Sequence, residues 1–341
     1  MRTIFITGGA GFIGSAFVRL LLEETSDCTI VNFDKLTYAG NLENLAGVDE
    51  TRHRFVRGDI ADAAEVANAL PTGADAIVNF AAESHVDRSI ASADDFLRTN
   101  VTGTQTLLDA ARQKGVRRFV QVSTDEVMGS LPEQDDAFFT EASPFAPNSP
   151  YAASKAAAEH LVRAAHHTFG LDTVITRCGN NYGPRQFPEK FLPLAIANAL
   201  NNEKIPVYGD GLNVRDWIYV EDYCRAILAV LDRGESGATY NVGARNPRRN
   251  LEVVESLLDA LGKPRTLISF VKDRLGHDRR YAIDPARIEN ELGWRPRETW
   301  QSGLAKTIEW YLKNTQWIKN TRNPAYRDYY KVQYGTEVSG D

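Results

Sequence analysis

The sequence predicts an α/β fold, a doubly wound Rossmann-type parallel sheet followed by a smaller C-terminal α/β substrate domain. Three observations carry that reading. Short apolar or β-branched runs alternate with longer helical patterns through the first half, a glycine-rich turn joins the first run to the first helix, and an acid closes the second run. Residues 3–7, 29–33, 54–56, 76–80, 118–122 and 172–177 are the expected strands. Buried parallel strands read as continuous apolar segments, and helical crossovers between them make right-handed βαβ units. Residues 12–23, 62–70, 93–114 and 151–169 place apolar side chains at helical spacing between those strands.

After residue 177 the pattern changes to a turn-rich stretch with Asn180, Asn181, Gly183 and Pro184. The domain change is placed there. It leaves a first domain over 1–178, a cap mainly over 179–330 with some segments returning to the first domain, and a tail over 331–341. In the cap, strands at 205–208, 239–242 and 266–270 mix with helices near 189–201 and over 221–233, 251–261 and 300–312. The last twenty-five residues carry Trp317, Tyr326, Tyr329, Tyr330 and Tyr334 and are expected to pack across the surface rather than line a ligand site.

At 341 residues the chain is about twice a typical domain of roughly 150 residues, long enough for two coupled lobes. Its 39 basic and 45 acidic side chains leave a formal charge of −6, without a long basic run, which argues against a nucleic acid polymer as partner. Cys28, Cys178 and Cys224 lie far apart with no metal-ligand spacing. They imply neither a disulfide framework nor a metal site, and a reducing cytoplasm is the expected compartment. Residues 3–18 are uncharged, but glycines at 8, 9, 11 and 14 interrupt a run already shorter than the ~18 apolar residues of a membrane helix. A soluble, unprocessed chain is expected.

The turn Thr7-Gly8-Gly9-Ala10-Gly11-Phe12-Ile13-Gly14 lies between the first strand and first helix, and Asp34 follows Gly14 by twenty positions. A Cβ in such a turn would block the backbone from a pyrophosphate, whose charge sits on free amides at the helix N-terminus. Asp34 can accept ribose hydroxyls and would repel a 2′-phosphate, so NAD is favoured over NADP. Asp59, at the third strand's end, is placed to contact the adenine.

Tyr151 and Lys155 stand at i and i+4 of a helix that follows Pro144, Pro147 and Pro150. They face the same way, about 6 Å apart in rise. A tyrosine with the ordinary pKa of about 10 is a poor base at neutral pH, and lowering it by about three units takes roughly 4 kcal/mol. An adjacent ammonium and a nicotinamide cation both act in that direction. Ser123-Thr124-Asp125-Glu126 ends the fifth strand, where open α/β sheets bind ligands. Hydride transfer alone needs a tyrosine and a hydroxyl; an added acid and base suggest proton transfers at further carbons.

With these residues the chain resembles the extended short-chain dehydrogenases/reductases, of the NAD-dependent epimerase/dehydratase type, and more narrowly the dTDP-glucose 4,6-dehydratases. The likeness runs from residue 1 to about 335. Its marks are the glycine turn, Asp34-Lys35-Leu36-Thr37-Tyr38-Ala39-Gly40-Asn41, Ala81-Ala82-Glu83-Ser84-His85-Val86-Asp87, Thr124-Asp125-Glu126-Val127 and Tyr151-Ala152-Ala153-Ser154-Lys155. In the cap it adds Arg177, Asn180-Asn181-Tyr182-Gly183-Pro184, Pro188-Glu189-Lys190, Tyr208-Gly209-Asp210-Gly211, Arg215 and Gly276-His277-Asp278. Met128, Gly179 and Leu275 depart from the usual tyrosine, serine and proline. Met128 removes a phenol near the active turn, where sugar selectivity or local hydrogen bonding would feel it.

The resemblance implies dehydration of dTDP-glucose to dTDP-4-keto-6-deoxyglucose. Tyr151, supported by Lys155, takes the 4-hydroxyl proton as the C4 hydride passes to a tightly bound NAD, and Thr124 holds that hydroxyl. Glu126 then removes the C5 proton, Asp125 protonates the departing C6 hydroxyl, and the hydride returns to C6. The cofactor residues it implies are Gly8, Gly11, Phe12, Ile13, Gly14, Asp34, Lys35, Thr37, Gly40, Asp59, Ile60, Ala81, Ala82, Ser84, Thr99, Ser123, Tyr151, Lys155 and Asn181. For the nucleotide-diphosphate hexose they are Ser84, His85, Thr124, Asn180, Glu189, Lys190, Phe191, Pro206, Tyr208, Arg215, Asn250, Arg274 and His277. Arg215 suits a diphosphate through its permanently charged fork. The resemblance also implies a homodimer joined through the alanine-rich Tyr151 helix, although internal packing explains the alanines equally well. A dehydratase for a UDP-hexose and a nucleotide-sugar 4-epimerase stay open, as does a non-catalytic NAD-binding scaffold. An epimerase has no need of Asp125 and Glu126, and a scaffold would need neither those acids nor Tyr151 and Lys155.

Overall fold

A computed structural model describes residues 2–133 and 136–335. The strands β1 (Arg2–Thr7), β2 (Cys28–Asp34), β3 (His53–Arg57), β4 (Ala76–Asn79), β5 (Arg118–Thr124) and β6 (Thr173–Cys178) fall within two residues of the predicted bounds. Beyond them come β7 (Asn180–Tyr182), β8 (Ile205–Tyr208), β9 (Val214–Tyr219), β10 (Thr239–Val242), β11 (Pro247–Arg249) and β12 (Ile268–Val271). The main sheet is parallel, in the order β10-β6-β5-β4-β1-β2-β3. The strand order reverses between β1 and β4, which opens a crevice at their carboxyl ends.

Alternation along each strand sends side chains to two cores. Ile4 and Ile6 meet Phe17 and Leu21 of the helix Phe12–Glu24 and Tyr223 and Ile227 of the helix Val220–Arg233. Phe5 points the other way, to Leu107 and Leu108 of the helix Thr104–Lys114 and Val162 of the helix Pro150–Phe169. The strand at 239–242, placed with the cap in the sequence reading, instead extends the main sheet beside β6. Tyr240 and Val242 are fully buried in the core of the first lobe, so burial outweighs position in the chain.

The cap holds a three-stranded sheet, β11-β9-β7, and a parallel pair, β12-β8. β7 occupies a stretch read as turns, and β9 was not foreseen, because Arg215 and Asp216 break its apolar pattern. The expected helix 93–114 is also divided: Asp94–Phe96 leads into a π-helical turn, Leu97–Gly103, before Thr104–Lys114. A Cβ on Gly103 would lie 2.6 Å from Ile60, so the turn packs where only glycine fits.

The C-terminal segment forms two helices, Thr315–Thr321 and Pro324–Tyr334, and does more than cover the surface. Trp317 Nε1 donates to Asn44 Oδ1 at 3.0 Å and Tyr326 Oη to the Pro188 carbonyl at 3.1 Å. Tyr334 lines a ligand-sized cavity, which corrects the expectation of a purely surface role. Residues 336–341 of the expected tail lie outside the described residues. Among the described residues no helix is long and apolar enough to cross a membrane.

Candidate active site

Two adjoining cavities open at the carboxyl ends of the main strands and share Ser84, Glu126, Asn180, Glu189 and Lys190. All the cofactor residues expected from the sequence line the first. All the expected sugar-nucleotide residues line the second, except Thr124, which lines the first.

The first cavity begins at the glycine turn. A Cβ on Gly14 would stand 2.3 Å from the Gly8 carbonyl oxygen, and one on Gly8 2.6 Å from the Ala81 nitrogen. Gly8 also adopts a positive φ of 69°, a conformation open chiefly to glycine. The helix N-terminus behind it has no side-chain cap, so its amides remain for an anion. Asp34 accepts from Ala10 N at 2.9 Å and Leu36 N at 2.7 Å, which fixes the carboxylate at the tip of β2 with lone pairs to spare. Asp59 is ion-paired with Lys35 at 3.0 Å and with Arg98, so it shapes the rim through two cations. Farther in, Asn181 Oδ1 and Gln186 Oε1 are buried without a hydrogen-bond partner among the described residues. A cradle that excludes Cβ atoms, an acid at the second strand and unsatisfied amide oxygens fit a dinucleotide such as NAD.

The reacting end is built by β5 and the helix Pro150–Phe169. Ser149 caps that helix by accepting from Ala152 N at 3.1 Å, with Pro150 in its first turn. Tyr151 and Lys155 are thereby buried on its inner face. Lys155 Nζ donates to the Val122 carbonyl at 2.6 Å, and burial pushes its pKa down to about 8 against the opposing charge of Glu159. Burial, then the charge of Glu126, drives the Tyr151 phenol well above its ordinary value; a hydrogen bond with the Thr124 side chain acts the other way. The protein's own groups therefore raise a pKa that the sequence reading expected to be lowered. Burial is the main cause and the charge of Glu126 the next, while the Lys155 ammonium is already engaged by a carbonyl.

Thr124 ends β5 and caps the short 3-10 helix Asp125–Met128, accepting from Glu126 N at 3.3 Å. The two acids that follow have different surroundings. Asp125 is buried and its pKa is pushed far up, first by burial and then by the charge of Glu126. Its Oδ2 has no partner among the described residues. Glu126 is also raised by burial, but Arg215, Arg274 and Lys190 oppose that shift. The pair thus favours a proton on Asp125 and a charge on Glu126, the division of an acid from a base.

The second cavity is lined by cations, Arg215 buried and Lys190 and Arg274 partly so. Arg215 donates to the carbonyls of Val214 at 2.7 Å and Asp278 at 2.9 Å and lies 4.2 Å from the Tyr281 ring centroid. Lys190 Nζ donates to the Ser84 carbonyl at 2.7 Å. Neither has a carboxylate ion-pair partner among the described residues. Buried charges require compensation, and an anionic ligand would supply it here. His277 Nδ1 stands 2.6 Å from Asp273 Oδ1, and burial, with Arg215 nearby, lowers its pKa to about 4. Burial, then the charge of Lys190, keeps His85 neutral. These are the properties of hydrogen-bonding rather than charged histidines.

Met128 lines neither cavity among the described residues. It is buried with Val127, Phe139, Ala156 and Tyr281, and its sulfur stands 3.6 Å from Arg177 Nη1. Arg177 in turn grips Glu159 through Nε and Nη2, at 2.9 and 2.8 Å, beneath the Tyr151 helix. A Cβ on Gly179 would come within 2.5 Å of the Asp216 carbonyl, so a serine there requires a shifted backbone. Leu275 is exposed.

Sequence reasoning missed Asn100, Gln186, Tyr281 and Tyr334. Asn100 sits in the π-helical turn, donating to Ser154 Oγ at 2.8 Å and the Glu83 carbonyl at 3.0 Å, and accepting from Glu83 N at 2.9 Å. It braces the residue next to Lys155 against the cavity wall. Gly103 was the available signal, as a glycine inside a helical pattern.

The family model for GDP-mannose 4,6 dehydratase matches residues 5–307. A dTDP-glucose 4,6-dehydratase of Neisseria meningitidis is 52% identical, over 96% of this chain and 98% of its own. The crystal structure of the dTDP-glucose 4,6-dehydratase DesIV from Streptomyces venezuelae, solved with NAD bound, superposes with a TM-score of 0.91 at 51% identity, covering 94% of this chain and all of that one. A UDP-glucose 4-epimerase of Thermotoga maritima, solved with UDP-glucose, gives a TM-score of 0.84 at 27% identity, over 92% and 100% of the two chains.

Proposed function

The chain belongs to the dTDP-glucose 4,6-dehydratases, and on that premise we propose how its own residues divide the reaction. The enzyme is NAD-dependent and converts dTDP-glucose to dTDP-4-keto-6-deoxyglucose, with C4 oxidation, loss of water across C5 and C6, and hydride return to C6. The observation that carries the division of roles is the unequal setting of Asp125 and Glu126 beside Tyr151.

Bound NAD supplies the acceptor of the C4 hydride, its donor to C6, and a ring charge that favours phenolate. Tyr151 takes the proton of the 4-hydroxyl, which Thr124 holds through its own hydroxyl. Lys155, charged below about pH 8, favours the phenolate form that Tyr151 must hold before it accepts this proton and becomes phenol. The 4-ketone acidifies C5, whose proton passes to Glu126. Asp125, kept protonated by burial, gives its proton to the C6 hydroxyl as the C6–O bond breaks and water leaves. Glu126 then returns its proton to C5. Asn181 and Gln186 lie in the same cavity and have acceptors for the cofactor's amide end.

Arg215, Lys190 and Arg274 take the diphosphate, and Pro206, Tyr208, Asn250, His277 and Tyr334 enclose the rest of the nucleotide. The functional division into lobes follows: residues 1–178 hold the cofactor and the reacting groups, and most of 179–330 holds the sugar nucleotide. A homodimer and a cytoplasmic location complete the proposal. Ala152, Ala156, Ala158 and Ala165 are buried within the chain, whereas Ala153 and Ala164 are exposed. They fall on one helical face with Ala157 and leave a shallow surface for a second copy.

Purified enzyme offered dTDP-, UDP-, CDP- and GDP-glucose, with products read by mass and NMR, tests the reading. The dTDP compound should be converted fastest, with loss of one water and no net reduced cofactor. A 4-epimer, or faster conversion of the UDP compound, would overturn it.

A further inference from the structure

Arg274 is held differently from the other two cations of the second cavity. Arg215 and Lys190 donate to backbone carbonyls. Arg274 is gripped by a carboxylate of the first lobe: Nε donates to Asp87 Oδ1 at 2.6 Å and Nη2 to Oδ2 at 3.0 Å. The Asp87 side chain is only 7% exposed, on the short helix Val86–Ala91. Its Oδ2 also accepts from the Tyr208 hydroxyl at 3.1 Å, and that hydroxyl accepts from Gln333 Nε2 at 2.8 Å. One carboxylate therefore ties together the first lobe, the tip of β8, the loop that carries Arg274 and, through Tyr208, the C-terminal helix.

We propose that Asp87 is a positioning residue for the nucleotide-sugar, holding one edge of the Arg274 guanidinium so that its remaining Nη1 edge meets the diphosphate. Nη1 has no hydrogen-bond partner among the described residues. Three cations line one cavity with Glu126, Glu189 and Asp278, but among the described residues only the one on a loop is ion-paired there, and without Asp87 the repulsion of the other two favours its exit. Arg274 is that one, since Arg215 belongs to β9 and Lys190 directly precedes the helix Phe191–Leu200. A guanidinium pinned in a two-bond fork also has fewer rotamers to lose when the ligand arrives. The inference rests on the reading that Arg274 serves the diphosphate.

The test compares Asp87→Asn, Arg274→Gln and the double variant as NAD-loaded enzymes, using KM and kcat for dTDP-glucose and binding of dTDP and thymidine by calorimetry. Asp87→Asn should raise KM and weaken dTDP binding roughly ten- to hundredfold, as expected for a charge-assisted hydrogen bond. Saturated kcat should change less than threefold and thymidine binding should stay as in wild type. In the Arg274→Gln background the same substitution should add almost nothing. Equal losses for dTDP and thymidine would mean a collapsed pocket and would overturn the proposal. So would undiminished dTDP binding, or full additivity with Arg274→Gln. Where Asp87→Asn does not fold, Arg274→Lys, which loses the fork but keeps the charge, should give the same selective loss of dTDP; unchanged dTDP binding by that variant would overturn the proposal. If the wild-type enzyme binds dTDP without converting dTDP-glucose, the assigned reaction fails while the role of Asp87 is still decided by the two binding measurements.

Discussion

Replacing Tyr151 by phenylalanine should lower the rate of C4 oxidation by about 10²–10⁴-fold, the usual worth of a positioned general base. The substitution removes one oxygen from a ring buried between the helix Pro150–Phe169 and Phe96, whose ring centroid is 6.3 Å away. Volume is nearly conserved, so folding should persist. What is lost is the hydroxyl that meets Thr124 and lies in the field of Lys155. Rapid mixing with dTDP-glucose reads the step directly as reduced-nicotinamide absorbance, while dTDP affinity serves as the control because the diphosphate cations are untouched. A normal oxidation rate would move the base elsewhere. The same burial that raises the phenol gives the wild-type oxidation a sign with pH: its rate should increase as pH rises toward about 8, where Lys155 begins to lose its charge, since a larger share of Tyr151 is then phenolate.

Glu126→Gln should separate the two halves of the reaction. Oxidation should continue, because Tyr151 and Lys155 are intact, but water loss should fall by about 10²–10⁴-fold for want of a base at C5. Reduced cofactor should therefore accumulate on the variant during a single turnover, where the wild-type enzyme shows it only transiently. Gln keeps the length of the side chain and leaves the backbone amide that Thr124 caps. The change also removes the negative charge that helps push up Tyr151, so the oxidation should not slow. Dehydration at the wild-type rate would remove Glu126 from this role and leave Asp125 as the only carboxyl of the turn.

Much of the first lobe is legible in the chain because its signals are local. The turn from Gly8 to Gly14, Asp34, the acids after β5 and the Tyr151–Lys155 spacing each lie on a strand end or one helix face, and their neighbours in sequence are their neighbours in space. The parts that escaped depend on distant contacts. β10 joins the main sheet through burial of Tyr240, sixty or more residues after β6. Asn100 reaches Ser154 only because a π-helical turn rotates it, and no periodicity reports such a turn. Tyr334 enters the second cavity because the C-terminal helix packs on Tyr208 and Pro188. The expected lowering of the Tyr151 phenol counted a nicotinamide cation as well as Lys155; the chain's own groups act in the other direction, because only the fold brings Val122 to the ammonium and Glu126 to the ring.

The central claim is that one hydride leaves C4 and returns to C6 of the same sugar. The measurement that meets it most directly is the product formed from dTDP-glucose carrying deuterium at C4, incubated with enzyme in ordinary water and analysed by NMR and mass. The expected result is a 4-keto-6-deoxy product with deuterium in its C6 methyl group and no free reduced cofactor. Deuterium retained at C4 of an epimer, or lost from the sugar altogether, would contradict it.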